Sequence, residues 1–287
     1  MRQKLNIWVI GGDGRQAALA AALSEDGHTV HTWALERGGP TALAADTLAG
    51  AGNADCVILP LPAAEKGRLN APLSSVHIPV EQVLDALSPG QLVCAGRVDT
   101  DLADAGRQRQ LRLVDYFARE ELAVANAVPT GEGAVQLALE ELPITLRDAG
   151  VLILGYGRLG RVLAGQFKGL GSRVTVAARR CEALAWARAE GCATGRTDQL
   201  GPWLCGFDLV VNTVPHLLLD RAALSQLKPD ALVIDLASRP GGVDFTAAAE
   251  LGVKVIWALS LPGKTAPVTA GLAIRDTICN ILSEEGF

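Results

Sequence analysis

The chain is 287 residues long and 49% hydrophobic, with 31 acidic against 26 basic side chains for a formal net charge of -5. That length suits two domains, each with room for a substantial apolar core. The acidic balance argues against a general nucleic-acid or anionic-membrane binder, and no apolar stretch is long enough to span a bilayer.

The first residues, Met1-Arg2-Gln3-Lys4, are basic, but the apolar run at 5–10 is too short for a signal core and no cleavage pattern follows. Cytoplasm is the expected compartment. Residues 5–10 read as a strand that enters Gly11-Gly12-Asp13-Gly14-Arg15-Gln16, and an alanine-rich helix follows to about Leu23, closed by Gly27. This turn is not a G-x-G-x-x-G, because Ala17 stands where the third glycine would be. It reads either as a tight turn capped by Asp13 or as a place where Arg15 and Gln16 meet a ligand at the carboxyl edge of a sheet. An arginine at a helix start opposes the dipole and asks for a further reason, which favours the second reading.

Further strands are expected at 29–35, 56–61, 92–95 and 111–114, each short and apolar with turn residues at its ends. His28 and His31 lie three apart on what reads as a strand, facing opposite ways, so they are not expected to share a metal. The stretch 62–79 has no clear period and reads as a long functional or mobile loop. A helix is expected from about 133 to 142, with Thr130 as its N-cap and Glu132 in its first turn. Glu132 is also a possible acid–base group. Pro143 ends that helix and begins a linker. The six cysteines include no C-x-x-C pair and read as buried thiols, and no metal site is assigned.

The second half opens on the most informative stretch. Val151-Leu152-Ile153-Leu154 runs into Gly155-Tyr156-Gly157-Arg158-Leu159-Gly160 and then into a helix reaching about Leu170. Strand, G-x-G-x-x-G turn and helix in that order form the dinucleotide-binding fingerprint, in which helix N–H groups and the dipole hold a pyrophosphate. The next strand, 173–177, ends in Ala178-Arg179-Arg180, with no acid before Glu182. An NAD site carries an acidic residue here for the ribose hydroxyls, whereas paired guanidinium groups suit a 2′-phosphate. NADP is therefore preferred, with NAD left open by the alternative that these are two solvated arginines.

Three later strands run into polar clusters at the edge where a dinucleotide lies. They lead to Asn212-Thr213-Val214-Pro215-His216, to Leu236-Ala237-Ser238-Arg239-Pro240, and to a loop at 261–267 that holds Lys264. Cofactor contacts are assigned to Gly155 through Gly160, to Ala178, Arg179 and Arg180, to Asn212, Thr213, Val214 and Pro215, and to Leu236, Ala237 and Ser238. His216 reads either as an acid–base group or as a structural histidine at a helix start. Arg239 and Lys264 suit an anionic substrate, or are charges on solvated loops. A last helix starts at Pro267, and its apolar stripe Ile274, Ile278, Ile281 and Leu282 is expected to cross back to the first domain.

Taken together, these clusters resemble the family of dipicolinate synthase A subunits. The resemblance rests on Gly11-Gly12-Asp13-x-Arg15-Gln16, Pro129-Thr130-x-Glu132-Gly133 and Gly155-x-Gly157-Arg158-x-Gly160. It continues with Asn212-Thr213-Val214-Pro215, with the particular run Asp235-Leu236-Ala237-Ser238-Arg239-Pro240-Gly241-Gly242, and with Leu261-Pro262-Gly263-x-x-Ala266-Pro267-x-Thr269-Ala270-Gly271. It implies an α/β fold of two Rossmann-like domains with doubly wound parallel sheets and a cleft between them, like the D-2-hydroxyacid and alanine dehydrogenases. The expected division is 1–142, carrying substrate, with the helix 267–287, and 143–266, carrying NADP. The resemblance further implies that the partner is the flavoprotein-like B subunit of the synthase, and that the chain forms a homo-oligomer as well. The implied reaction is oxidation of a dihydro- or hydroxytetrahydro-dipicolinate to pyridine-2,6-dicarboxylate in a sporulating cell. Arg15, Gln16, Arg239 and Lys264 would meet the dianion, and Glu132 or His216 would take the proton. A 2-hydroxy or 2-oxo acid dehydrogenase and a non-catalytic dinucleotide-binding subunit remain alternatives.

Overall fold

Short apolar strands alternate with helices throughout, and the computed structural model winds them into two parallel sheets of six strands each. It describes residues 4–39 and 43–287. Parallel strands covered on both faces should be apolar throughout rather than alternating. The central strands Cys56–Ile58, Leu92–Ala95, Gly150–Leu154 and Leu209–Asn212 are buried at every position. Contacts divide the chain into two units, one running to Asn126 and including Ala266–Phe287, the other Ala127–Thr265.

In the first unit, β1 (Asn6–Ile10), α1 (Gly14–Glu25), β2 (Thr29–Trp33), β3 (Leu43–Ala44) and β4 (Cys56–Ile58) come first. After them come β5 (Ala64–Glu65), β6 (Arg68–Leu69), α2 (Val80–Asp85), β7 (Leu92–Ala95), α3 (Thr100–Gln108) and β8 (Arg112–Asp115). The sheet order β3-β2-β1-β4-β7-β8 reverses direction between β1 and β4, which is where such sheets open a crevice. The stretch expected as a loop at 62–79 instead contains the antiparallel hairpin β5–β6, with Leu69 and Ile78 buried. Its strands are two residues each, too short to give a period.

The last helix, Pro267–Glu284, belongs to this unit and packs on α1. Its Ile274, Ile278, Ile281 and Leu282 are at most 4% exposed, each contributing about 1.5–3 kcal/mol by burial. A Cβ on Gly271 would lie 2.5 Å from the Arg15 carbonyl oxygen, so the two helices approach too closely there for any side chain. Arg119 grips Glu284 through two nitrogens at 2.6 and 2.7 Å, and Arg112 pairs with Glu285.

The helix expected at 133–142 is longer. α4 runs Glu120–Glu141, with Pro129 inside it, and the boundary between the units falls within it at 126/127 rather than at 142/143. Proline normally breaks a helix because it has no N–H for the carbonyl four residues back, but here the helix continues. Thr130 is therefore not an N-cap and Glu132 not in a first turn; both are mid-helix.

The second unit continues with β9 (Gly150–Leu154), α5 (Arg158–Gly169), β10 (Arg173–Ala178), α6 (Cys181–Ala189) and β11 (Ala193–Arg196). Then come β12 (Leu209–Asn212), α7 (Arg221–Leu224), β13 (Leu232–Asp235), α8 (Phe245–Leu251), β14 (Lys254–Trp257) and α9 (Leu261–Thr265). The order β11-β10-β9-β12-β13-β14 is doubly wound with its switch between β9 and β12. Residues 261–265, expected as loop, form α9, which seats on α4 where Gly133 faces Leu261 and Thr265. No helix among the described residues is long and apolar enough to cross a membrane. Cys56, Cys94 and Cys192 are buried, but Cys181 and Cys205 are exposed, against the expectation of buried thiols throughout.

Candidate functional site

At the switch point of the second sheet, β9 turns through Gly155 at φ 94°, a conformation that favours glycine. The turn is tight enough that a Cβ on Gly155 would meet the Thr213 hydroxyl at 2.5 Å and Val214 at 2.8 Å. A Cβ on Gly160 would overlap the Gly155 carbonyl oxygen, so α5 lies hard against the turn. Gly157 caps α5 without a side-chain hydrogen bond and has open space around it. The helix thus starts without a side-chain cap and with room beside its first turn, as a pyrophosphate site requires.

β10, beside β9, ends in buried Ala178 and exposed Arg179 and Arg180, and Arg180 precedes α6. None of these three carries a carboxylate. Leu159 is partly buried against the core. Tyr156 is not available as a side-chain contact. It is 4% exposed and its hydroxyl donates to Glu190 Oε2 at 2.5 Å; burial first, then that bond, pushes the phenol well above its ordinary value.

Asn212 and Asp235 are fully buried partners in register at the ends of β12 and β13. Asn212 Nδ2 donates to Asp235 Oδ1 at 2.8 Å and to the Val214 carbonyl at 3.0 Å, while Asn212 Oδ1 accepts from Val214 N at 3.1 Å. Asp235 further accepts from Ala237 N at 3.0 Å and Gly242 N at 2.8 Å, so one carboxylate pins both ends of the 235–242 loop. Asn212, expected to touch the cofactor, holds the segment that carries Thr213, Val214 and exposed Pro215. From the pinned loop Ser238 and Arg239 are exposed, Leu236 is partly buried and Ala237 is buried. Arg239 lies 5.8 Å over the ring of Trp257, whose Nε1 donates to the Ala237 carbonyl at 2.9 Å.

In the first unit the turn after β1 is also at a switch point. Asp13 accepts from Arg15 N at 3.0 Å, and the Arg15 side chain returns Nε and Nη2 to the two Asp13 oxygens, each at 2.9 Å. Nη2 also donates to the Leu61 carbonyl at 2.6 Å, bridging the turns after β1 and β4. This is the reason an arginine sits against the helix dipole: the neighbouring carboxylate neutralises it. Gln16 is fully buried, its Oε1 accepting from Asp13 N at 3.3 Å and its Nε2 donating to the Tyr116 hydroxyl at 3.4 Å. Tyr116 donates in turn to the Leu59 carbonyl at 3.0 Å. Gln16 is therefore engaged as a capping-box and bracing residue.

Residues 6–117 match the family model for the N-terminal domain of the dipicolinate synthase A subunit. The A subunit of dipicolinate synthase from Bacillus subtilis is 33% identical over 98% of this chain and 96% of its own length. The chain belongs to the family of dipicolinate synthase A subunits. The crystal structure of the A subunit from Bacillus halodurans, 27% identical, superposes with a TM-score of 0.90 over 98% of this chain and 99% of that one. An L-alanine dehydrogenase shares the fold at 17% identity, with a TM-score of 0.67 over 97% of this chain and 90% of that one.

Among the other residues named from sequence, Glu132 is exposed on α4 and Lys264 exposed on α9, both in the second unit. His216 is exposed in the segment after β12, not at a helix start, and its backbone N–H donates to the Val214 carbonyl at 2.8 Å. His28 accepts from Leu5 N at 3.2 Å through Nδ1, and His31 stacks on Trp8 at 5.1 Å, so each has a structural place. Among the described residues no group of three His, Cys, Asp or Glu is placed to hold a metal. Asp235 and Trp257 carry no assignment from the sequence. Asp235 lies inside a motif yet receives no role there, although a carboxylate ending an apolar strand signals a buried, bonded group. Trp257 reads from sequence only as a strand end.

Proposed function

We propose that this family member is the dehydrogenase subunit of a two-component dipicolinate synthase, oxidising a dihydro- or hydroxytetrahydro-dipicolinate with NADP in the cytoplasm of a spore-forming cell. The observation that carries the nucleotide part is the uncapped start of α5 behind the Gly155–Gly160 turn, beside a strand that ends in two exposed arginines and no acid. The bound nicotinamide supplies a hydride acceptor at C4. From the dihydro form, loss of one hydride and one ring proton leaves an aromatic ring, and the hydroxytetrahydro form first loses water.

The chain's own residues bind and orient. α5 N–H groups hold the pyrophosphate, and Arg179 and Arg180 hold the 2′-phosphate. Arg239 and Lys264 neutralise substrate carboxylates. Arg15 is proposed for the same task, because its Nη1 has no protein partner among the described residues while Nε and Nη2 are fixed. The proton goes to His216 or Glu132; His216 is preferred, since its segment lies against the glycine turn through Thr213 and Val214. A flavoprotein-like second subunit is the proposed partner, and the assembly includes more than one copy of this chain.

The test is absorbance at 340 nm with freshly made dihydrodipicolinate, using NADP and NAD, for this chain alone, the partner alone and the mixture. NADPH formation that requires this chain supports the proposal. Turnover only on a 2-hydroxy acid would replace it with an ordinary dehydrogenase. Full activity of the partner without this chain would leave a non-catalytic binding role.

A further inference from the structure

Arg196, which the nucleotide reading does not use, stands next to the proposed 2′-phosphate site. It ends β11 in register with Ala178, the residue before Arg179 and Arg180. Its guanidinium donates through Nε and Nη2 to the two oxygens of Asp198 at 2.9 and 2.7 Å, a planar two-point pair. Cys181, the residue that follows Arg180, begins α6 beside the same strand ends. Arg196 therefore ends the strand beside the one that leads into Arg179 and Arg180, and its guanidinium is taken up by Asp198.

That carboxylate stands in an awkward place. A free acid at this edge suits the ribose diol of NAD and repels a 2′-phosphate. With both oxygens engaged by Arg196, Asp198 has its charge paired and an acceptor bond on each oxygen already used. We propose that Arg196 sets the cofactor choice of this site by masking Asp198, so that the edge presents Arg179 and Arg180 to a 2′-phosphate without an opposing charge. Arg196 acts as a specificity-determining positioning residue, and the inference rests on the NADP reading above. The pair is about half exposed on each side, so replacing it has little effect on folding.

The experiment measures NADPH and NADH dissociation constants by nucleotide fluorescence for the wild-type chain, R196Q, D198N and R196Q/D198N, without any need for turnover. The expected result is a wild type that prefers NADPH and an R196Q variant whose NADPH:NADH preference falls about tenfold or more as Asp198 is unmasked. The double variant recovers most of that preference, and D198N alone stays within about twofold of wild type. An R196Q preference equal to wild type, or a double variant no better than R196Q, overturns the masking while the NADP reading stands. A D198N variant that loses NADH affinity selectively also overturns it, since Asp198 would then be holding ribose hydroxyls. A wild type that prefers NADH removes the NADP reading itself, and the inference with it.

Discussion

Asn212 and Asp235 face each other in register at the ends of two adjacent strands, joined by an Nδ2–Oδ1 hydrogen bond of 2.8 Å with both residues fully buried. Replacing Asp235 with alanine strands three buried donors, the Asn212 amide and the Ala237 and Gly242 N–H groups. D235A should lose about 3 kcal/mol or more, and D235N less because it keeps acceptor capacity. Calorimetric melting of the three proteins decides the matter. A D235A melting temperature equal to wild type would refute the bracket.

Gly160 allows no side chain against the Gly155 carbonyl oxygen. G160A should shift α5 outward, cost about 1–3 kcal/mol, and weaken NADPH binding at least about tenfold. Melting and fluorescence titration report the two effects separately. Tight NADPH binding by G160A would mean the nucleotide does not lie on this turn.

Asp208 ties β9 to the following elements, accepting from Gly150 N at 2.7 Å and Lys228 Nζ at 2.5 Å. Burial pushes its carboxyl up, but the Lys228 and Gly150 hydrogen bonds and the charges of Lys228 and Arg173 outweigh it and hold the group below its ordinary 3.8. A carboxyl lowered on folding stabilises above its unfolded value and loses that contribution as the pH falls through its folded value. The stability gap between wild type and D208N should be full at about pH 6, shrink below about pH 5, and vanish only beneath the folded value. Urea unfolding over that range measures it; a gap independent of pH would count against the pairing.

Trp257 holds Arg239 over its ring and is itself anchored to the Ala237 carbonyl. If Arg239 meets a substrate carboxylate, W257L should raise KM about threefold to tenfold with kcat and the NADPH dissociation constant little changed. W257F keeps the stack without the N–H and should fall between. Equal KM values for all three would separate Trp257 from substrate binding.

Arg15 offers a sharper division of roles. R15A should raise KM steeply or abolish turnover while NADPH binding on the other unit is unchanged, and R15K should restore charge but not the two-point grip on Asp13. Unchanged steady-state kinetics in R15A would leave Arg15 as a brace between Asp13 and Leu61 and nothing more.

Most of the two sheets is legible in the residues, since buried parallel strands are short apolar runs ended by turn residues. The strand expected at 92–95 has those bounds in the structure, and the glycine turn at 155–160 has the geometry that its spacing implies. Misreadings come where tertiary packing overrides a local rule. The helix expected from about 133 in fact begins at Glu120 and passes through Pro129, which moves Thr130 from an N-cap and Glu132 from a first turn to mid-helix. Gln16 and Asn212 look like ligand contacts because they are polar and stand at strand ends. Their actual partners, Tyr116 and Asp235, lie 100 and 23 residues away in the chain, beyond the reach of any local pattern. Arg196 carries no signal at all, because a strand neighbour is known only once the sheet order is known.

The seating of the last helix on α1 makes the first unit discontinuous in the chain, while Ala127–Thr265 is one uninterrupted segment. During synthesis, the amino-terminal half must wait, its apolar face around Leu19 and Leu23 uncovered, until Ile274, Ile278 and Ile281 have left the ribosome. The half made second has all its own residues in hand and can finish first. A released chain that ends at Thr265 should therefore show a protease-resistant carboxyl-terminal half attached to an unfinished amino-terminal one.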